Sequence, residues 1–188
     1  RALVRAAGGR GLGLVATGGT GEALAGEALE AHSVAGLTNF PGLRDARDQT
    51  LHPGVHGGLL ARRDKPDHLE ALVEHGLKTI DLLCVNLYPF VATATREGAT
   101  FDEVIENIDI GGPAMIRAAA KNHDFVTIVV DPKDYKSVLD ELASNKGATT
   151  LKLRRALAAK AYARTASYDS AIAAWFARQE NDTFPERL

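Results

Sequence analysis

Ile80-Asp81-Leu82-Leu83-Cys84-Val85-Asn86-Leu87 is a mostly apolar run with the length of a single strand. A second run, Phe125–Val130, reads FVTIVV and is richer still in β-branched residues. Runs of this length without polar alternation are typical of strands that are covered on both faces, as the strands of parallel sheets are. The two runs therefore predict a sheet buried between layers of helix.

Helical patterns separate these strands from each other and from a third predicted strand, Leu12–Ala16. Proline at a first helical position and glycine just past the last one delimit the helix in Pro66–Gly76. Further helices are predicted over Glu22–Leu29, from Pro113 through Ala120, and from Asp131-Pro132 to about Ala143. Strands that alternate with helices predict an α/β domain with a mainly parallel sheet flanked by helices.

The tail from Thr149 to Ala177 is predicted to form one long helix or a pair of helices. Its apolar residues recur on one stripe at three- and four-residue spacing: Leu153, Leu157, Ala161, Tyr168, Ile172 and Trp175. The stripe can pack inside the chain or against a second subunit, and the pattern leaves both open. Because no linker divides the sequence, we predict a single domain over 1–188, with an α/β core at 1–148 and a C-terminal helical extension at 149–180.

The composition is that of an ordinary globular protein, with 45% apolar and 24% charged residues among 188. A formal charge of −2 argues against a broad electrostatic surface for nucleic acid or for an anionic membrane. The best apolar candidate, Leu82–Ala92, is interrupted by Asn86 and Pro89 and is too short to span a membrane. The single cysteine, Cys84, cannot form an intrachain disulfide, which fits a reducing compartment.

Three polar motifs are predicted at the carboxyl ends of strands, where open parallel sheets bind ligands. The first is Thr17-Gly18-Gly19-Thr20, between a strand and a helix. Its glycines allow backbone N–H groups to turn toward an anion, and a helix N-terminus favours negative charge. Gly-Gly turns are also common without a ligand, so this motif alone leaves phosphate binding open.

The second motif is Asn86-Leu87-Tyr88-Pro89-Phe90, directly after the first apolar run. A residue before proline is driven into an extended conformation, so the ring of Tyr88 leaves the strand end in a fixed direction. The alternative is a buried tyrosine that completes the core.

The third motif, Asp109-Ile110-Gly111-Gly112-Pro113, is followed by Lys121. The two glycines remove side chains where another group must approach the backbone, and Pro113 favours a helix start. Asp109 and Lys121 can equally be ordinary helix-end charges. A continuous helix from Pro113 would separate them by about 12 Å, so their spacing alone does not make them a pair.

Neither a metal site nor a dinucleotide site is expected. His52 and His56 have helical spacing, but Pro53 and Gly57-Gly58 predict that no helix forms there, and no acidic or cysteine ligand is near. The surrounding stretch, Gly36–Gly58, is predicted to be a long ordered loop. No Gly-x-Gly-x-x-Gly motif follows a strand.

These motifs occur in one order along the chain: Thr17-Gly-Gly-Thr20, Gln49-Thr-Leu-His-Pro53, His56-Gly-Gly58, Asn86-Leu-Tyr-Pro-Phe90, Ile108-Asp-Ile-Gly-Gly-Pro-Ala114 and Ala120-Lys-Asn-His123. The order closely resembles the inosine-monophosphate (IMP) cyclohydrolase domain of the bifunctional purine-biosynthesis family, whose members also carry a transformylase. The resemblance covers essentially the whole chain. It implies a methylglyoxal-synthase-like fold with a Rossmann-like sheet, no cofactor, and a homodimer or larger assembly.

The resemblance also implies a reaction, the closure of the second purine ring. A carboxamide nitrogen of the formamido-imidazole ribotide attacks its own formyl carbon, and water is lost. By motif match Asp109 would transfer the proton, and Tyr88 with Lys121 would stabilise the oxyanion. Convergence of Asp109 with Lys121 then requires a break in the helix or a residue from another subunit.

The remaining matched positions would bind the substrate nucleotide. The phosphate and ribose would contact the Thr17–Thr20 turn, Arg47, Gln49 and Thr50, and the base would contact Asn86, Gly111 and Gly112.

Three departures from the family pattern support a second hypothesis. Gln49 replaces a family lysine, which removes a charge-assisted contact of roughly 1.5–3 kcal/mol. No counterpart of the family's first strand, with its Ser-Asp-Lys-Thr-Gly loop, precedes Arg1, and the transformylase half is absent. The chain is then either a cyclohydrolase acting on a purine nucleotide or a degenerate homologue kept as a structural subunit. The expected compartment is the cytoplasm, or an organelle matrix if a transit peptide was removed upstream of Arg1.

Overall fold

Strands in the computed structural model pair in parallel, and the model describes residues 2–9, 11, 13–40 and 48–179. The strands are β1 Val15–Ala16, β2 His32–Ser33, β3 Leu82–Cys84 and β4 Thr127–Val129. The helices are α1 Ala2–Gly8, α2 Gly18–Ala25, α3 Val34–Thr38, α4 Pro53–Leu60, α5 Pro66–Glu74, α6 Phe90–Ala94, α7 Phe101–Glu106, α8 Gly111–Lys121, α9 Tyr135–Ser144 and α10 Leu151–Gln179. A 3₁₀ turn, Pro132–Asp134, precedes α9.

The sheet is divided into two parallel pairs, β1–β2 and β3–β4, in the part of the chain that the structure describes. In the second pair Leu82 lies opposite Thr127 and Cys84 opposite Val129. All three residues of β4 are buried, as the FVTIVV run predicts. The α/β class with parallel strands flanked by helices is confirmed.

The predicted strands are longer than the observed ones. The first apolar run forms only β3; its last residue, Cys84, is exposed, as are Asp81 and Asn86 on either side of the strand. The predicted strand Leu12–Ala16 is reduced to β1 in the described residues, and Val15 is 45% exposed rather than buried.

Helices α1, α3, α4, α6 and α7 lie where no helix was predicted, and α2 differs from its predicted bounds. Pro53 begins α4 in a stretch expected to be a loop, because a first helical position tolerates proline. His52 caps this helix, its Nδ1 accepting a hydrogen bond from the backbone N–H of Gly54 at 3.0 Å. Gly58 fits because a Cβ there would lie 2.6 Å from the carbonyl oxygen of Lys78. Helix α2 begins at Gly18, four residues before the predicted start, so it includes most of the Thr17–Thr20 turn.

The core lies where α10 crosses α8 and β4. Ala119 and Ala120 of α8 are fully buried, and their small side chains allow α10 to approach closely. α10 is one unbroken helix of 29 residues. Leu157, Ala161, Tyr168 and Trp175 of the predicted stripe are buried, so the stripe packs inside the chain.

No helix among the described residues combines the length with the apolar character that a membrane crossing requires.

Candidate functional site

The carboxylate of Asp109 connects the segment after β3 to the start of α8. Its Oδ1 accepts a hydrogen bond from the backbone N–H of Gly112 at 2.8 Å, and its Oδ2 accepts one from the backbone N–H of Tyr88 at 3.3 Å. Each oxygen keeps a further lone pair. Asp109 therefore occupies a helix-start position and is also oriented, with acceptor capacity left for another group.

Gly111 and Gly112 allow this close approach. A Cβ on Gly112 would lie 2.5 Å from Oδ2 of Asp109 and 2.8 Å from Cδ2 of Leu87. A Cβ on Gly111 would collide with Oγ1 of Thr50. The absence of side chains at both glycines thus brings Thr50 and Asp109 against the first turn of α8.

Gln49 and Thr50 lie in a turn that is closed by a 2.9 Å hydrogen bond from the Leu51 N–H to the Asp48 carbonyl. Thr50 lies beside Gly111, so this turn is at the Asp109 end of α8. Arg47, predicted to bind the same part of the nucleotide, lies outside the described residues.

Tyr88 is 57% exposed, so the alternative of a core tyrosine is wrong. Its backbone is held at both ends, because its N–H donates to Asp109 and its carbonyl accepts from the Phe90 N–H at 2.8 Å. Ile110 is 59% exposed. Tyr88, whose N–H contacts the Asp109 carboxylate, and Ile110, the next residue after Asp109, therefore both carry accessible side chains.

Tyr168 of α10 supports Asp109 from inside the protein. Its hydroxyl accepts a hydrogen bond from the Asp109 N–H at 2.8 Å and donates one to the Asn107 carbonyl at 3.1 Å. Burial raises the pKa of Tyr168, so the hydroxyl stays neutral and keeps its proton to donate. The sequence pattern placed Tyr168 on the buried stripe but did not assign this contact; a hydroxyl among apolar stripe residues was the only available signal.

Lys121 lies at the opposite end of α8 from Asp109. The helix runs without a break for 11 residues, about 15 Å, and Lys121 is exposed at its end. A helix break was one of two ways to bring these residues together, and the structure excludes it. Within one chain the two side chains do not meet.

Asn86 lies on an open cleft of about 420 Å³ at the carboxyl ends of β3 and β4. The cleft is lined by Asn86, Val130, Asp131, Pro132, Lys160, Ala163 and Arg164. Nζ of Lys160 lies 2.8 Å from Asp134 and 2.9 Å from Asp131, and these contacts raise the pKa of Lys160. The lysine charge in this cleft is therefore already paired with carboxylates.

The Thr17–Thr20 turn begins α2 beside β1 and β2. Thr17 occupies the N-cap position, but its side chain makes no capping hydrogen bond. Gly18 has a φ of +28° and is exposed together with Gly19 and Thr20. Because a helix leaves its first N–H groups without intrahelical partners, this end of α2 presents backbone donors to solvent.

No group of three histidine, cysteine or acidic side chains is arranged to hold a metal ion in the described ranges. His52 uses its Nδ1 for the cap of α4.

Two family models match the chain: the MGS-like domain over residues 2–114 and the AICARFT/IMPCHase bienzyme over residues 119–188. The chain is 66% identical over 166 residues, 88% of its length, to the bifunctional purine biosynthesis protein PurH of Bradyrhizobium diazoefficiens. It is 57% identical over 184 residues, 98% of its length, to PurH of Parvibaculum lavamentivorans. It spans only 31% and 34%, respectively, of these two relatives.

A solved structure, the crystal structure of ForH, superposes with a TM-score of 0.81 at 36% identity, covering 93% of this chain and 90% of that one.

Proposed function

Because this chain belongs to the MGS-like domain family and corresponds to the IMP cyclohydrolase domain of PurH, we propose that it closes the second purine ring of IMP. The substrate is the formamido-imidazole-carboxamide ribotide, and the reaction needs no cofactor. The carboxamide nitrogen forms a bond to the formyl carbon, and the formyl oxygen leaves as water with one proton from that nitrogen and one from the formamido nitrogen.

The oriented carboxylate of Asp109 is the observation that carries this proposal. An amide nitrogen is a poor nucleophile, so ring closure needs a base within hydrogen-bond reach of its proton. The N–H groups of Gly112 and Tyr88 fix the carboxylate, and its free lone pairs are available to that proton. Asp109 is therefore the proposed proton acceptor.

The nucleotide is proposed to extend from this carboxylate to the start of α2. The base would contact Asn86, Gly111 and Gly112, and the ribose would lie against Gln49 and Thr50. The phosphate would be bound by the backbone donors of Thr17–Thr20, because helix N-termini favour anions, and by Arg47.

Tyr88 and Lys121 are the proposed donors to the developing oxyanion. Since α8 keeps Lys121 away from Asp109 of its own chain, we propose that a second copy supplies Lys121 and that the active unit is a homodimer. The transformylase activity of the longer relatives is outside this proposal.

An absorbance assay tests the activity, because ring closure changes the ultraviolet absorption of the nucleotide. Wild-type protein should turn over the ribotide slowly, and Gln49→Lys should raise the rate about 10- to 100-fold by restoring a charge-assisted contact. Asp109→Asn should abolish turnover in both backgrounds, since an amide does not accept the proton. If neither wild type nor Gln49→Lys turns over, the chain is a degenerate homologue, and calorimetry with IMP then shows whether it still binds nucleotide.

Mixing two inactive variants tests the shared site. In a dimer that exchanges chains freely, Asp109→Asn mixed with Lys121→Ala should recover about a quarter of wild-type activity, because about half of the dimers are mixed and each mixed dimer contains one intact site. Lys136→Ala, which removes an exposed lysine of α9, is the control that should keep wild-type activity. Absence of recovery in dimers shown to have exchanged chains would contradict a Lys121 shared between copies.

A further inference from the structure

Tyr168 connects the long helix α10 to the backbone that carries Asp109. We propose that it is a positioning residue whose hydroxyl fixes the Asp109 carboxylate in its reactive orientation, an inference that rests on the proposed cyclohydrolase function.

The hydroxyl of Tyr168 bridges two backbone groups on either side of Ile108. It accepts from the Asp109 N–H at 2.8 Å and donates to the Asn107 carbonyl at 3.1 Å, so both its donor and its acceptor capacity are used. These residues lie between α7 and α8, where the Asp109 N–H has no helical partner. The segment before α8 is therefore hydrogen-bonded to α10 through the Tyr168 side chain.

The ring that carries this hydroxyl is buried and packed. Tyr168 is 6% exposed, and its ring packs edge-on against Phe90, with centroids 6.2 Å apart and planes at 69°. Its helix packs along α8, the helix that Asp109 precedes. The tyrosine hydroxyl thus holds the Asp109 backbone in a fixed position relative to α10. It does so through the Asp109 N–H and not through the carboxylate.

Tyr168→Phe would keep this packing and lose only the two hydrogen bonds. The Asp109 backbone would then be held by its side chain alone, through Gly112 and Tyr88. Because displacement of a reacting group by about 1 Å can cost about 100-fold in rate, we expect kcat of Tyr168→Phe to fall about 10- to 100-fold. KM should change less than about threefold, since Tyr168 is not a substrate contact.

Tyr162→Phe is the matched control, because it also removes a tyrosine hydroxyl from α10. The Tyr162 hydroxyl donates to the Arg117 carbonyl at 3.5 Å and the residue is 38% exposed, so its loss should leave kcat and KM unchanged. Equal kcat in Tyr168→Phe and Tyr162→Phe would overturn the proposal, and so would a rise in KM with kcat unchanged.

Hydrogen–deuterium exchange of the full protein, followed by mass spectrometry of the peptide spanning 105–113, gives a readout that does not need activity. In wild type the Asp109 amide should be protected although it precedes the helix, and Tyr168→Phe should remove that protection while Tyr162→Phe does not. An unprotected Asp109 amide in wild type would overturn the proposal even if Tyr168→Phe failed to fold. If wild type is inactive but this exchange pattern holds, the proposed function fails and the positioning of Asp109 by Tyr168 stands.

Discussion

Replacing Gly112 with alanine tests the arrangement of the site directly, because the new methyl group would lie 2.5 Å from Oδ2 of Asp109 and 2.8 Å from Cδ2 of Leu87. Leu87 is buried, so it cannot move freely into solvent. The carboxylate is the group that must give way, and its hydrogen bonds to the Gly112 and Tyr88 N–H groups would be distorted.

The size of the effect follows from the displacement. Ordinary contact begins near 3.4 Å, so Oδ2 must move by about 0.9 Å. A shift of that size in a reacting group costs about 100-fold in kcat, equivalent to about 2.7 kcal/mol of transition-state stabilisation. Crowding beside Leu87 adds about 1–3 kcal/mol of lost folding stability.

Gly57→Ala is the control, since a Cβ there would lie 3.6 Å from both Leu72 and Leu77, which is ordinary contact. Its position inside α4 predicts equal or slightly higher stability, by up to about 1 kcal/mol. Turnover of the ribotide and thermal melting should be measured for both variants, below the melting temperature of the weaker one. If kcat of Gly112→Ala stays within threefold of wild type, the proposal that Asp109 reacts from its position beside Gly112 is refuted.

Three further substitutions, one of them with a matched control, test contacts that stabilise the fold. Ala161→Glu should lower the free energy of unfolding by more than about 3 kcal/mol, because it places an unpaired charge at a fully buried position. Ala159→Glu, at an exposed position of the same helix, should be nearly neutral, and urea titration of both variants measures the difference. Asn122→Ala should cost about 2–4 kcal/mol in the same titration, because the buried amide donates to two backbone carbonyls at the end of α4. The Lys133 N–H and Lys160 hold the pKa of Asp131 below its ordinary value. The Asp131 carboxylate therefore stabilises the fold above about pH 4, and this stabilisation is lost as the pH falls through the lowered pKa. The stability gap between wild type and Asp131→Asn, measured as urea midpoints, should accordingly be wider at pH 6 than at pH 3, and a gap that does not narrow would contradict this linkage.

Local signals were sufficient for several elements of the fold. The β-branched run at 125–130 contains β4, and Asp131-Pro132 begins the following helical segment because the Asp131 side chain accepts from the Lys133 N–H at 2.9 Å. Four of the six residues on the predicted Leu153–Trp175 stripe are buried, so the spacing identified the packed face of α10. Each of these features depends on residues near one another in sequence.

Features that depend on distant residues were not predictable in the same way. Glycine is required at position 58 of α4 because the Lys78 carbonyl oxygen occupies the space that a Cβ would fill. Nothing near Gly58 in sequence indicates that requirement. The Tyr168 hydroxyl and the Asp109 N–H are 59 residues apart. Spacing along α8 did predict that Lys121 would lie far from Asp109, because the rise per residue of a helix is fixed.

The aromatic contacts at the far end of α10 give the protein an optical reporter of its own. Trp175 is the only tryptophan in the sequence. Its ring centroid lies 5.1 Å from that of Phe101 and 6.1 Å from that of Phe90, and Phe90 also packs against Tyr168. At 9% exposure the indole is largely screened from water, so detachment of α10 should shift its fluorescence emission to longer wavelength. Emission from an unlabelled sample therefore monitors the docking of the helix that supports Asp109.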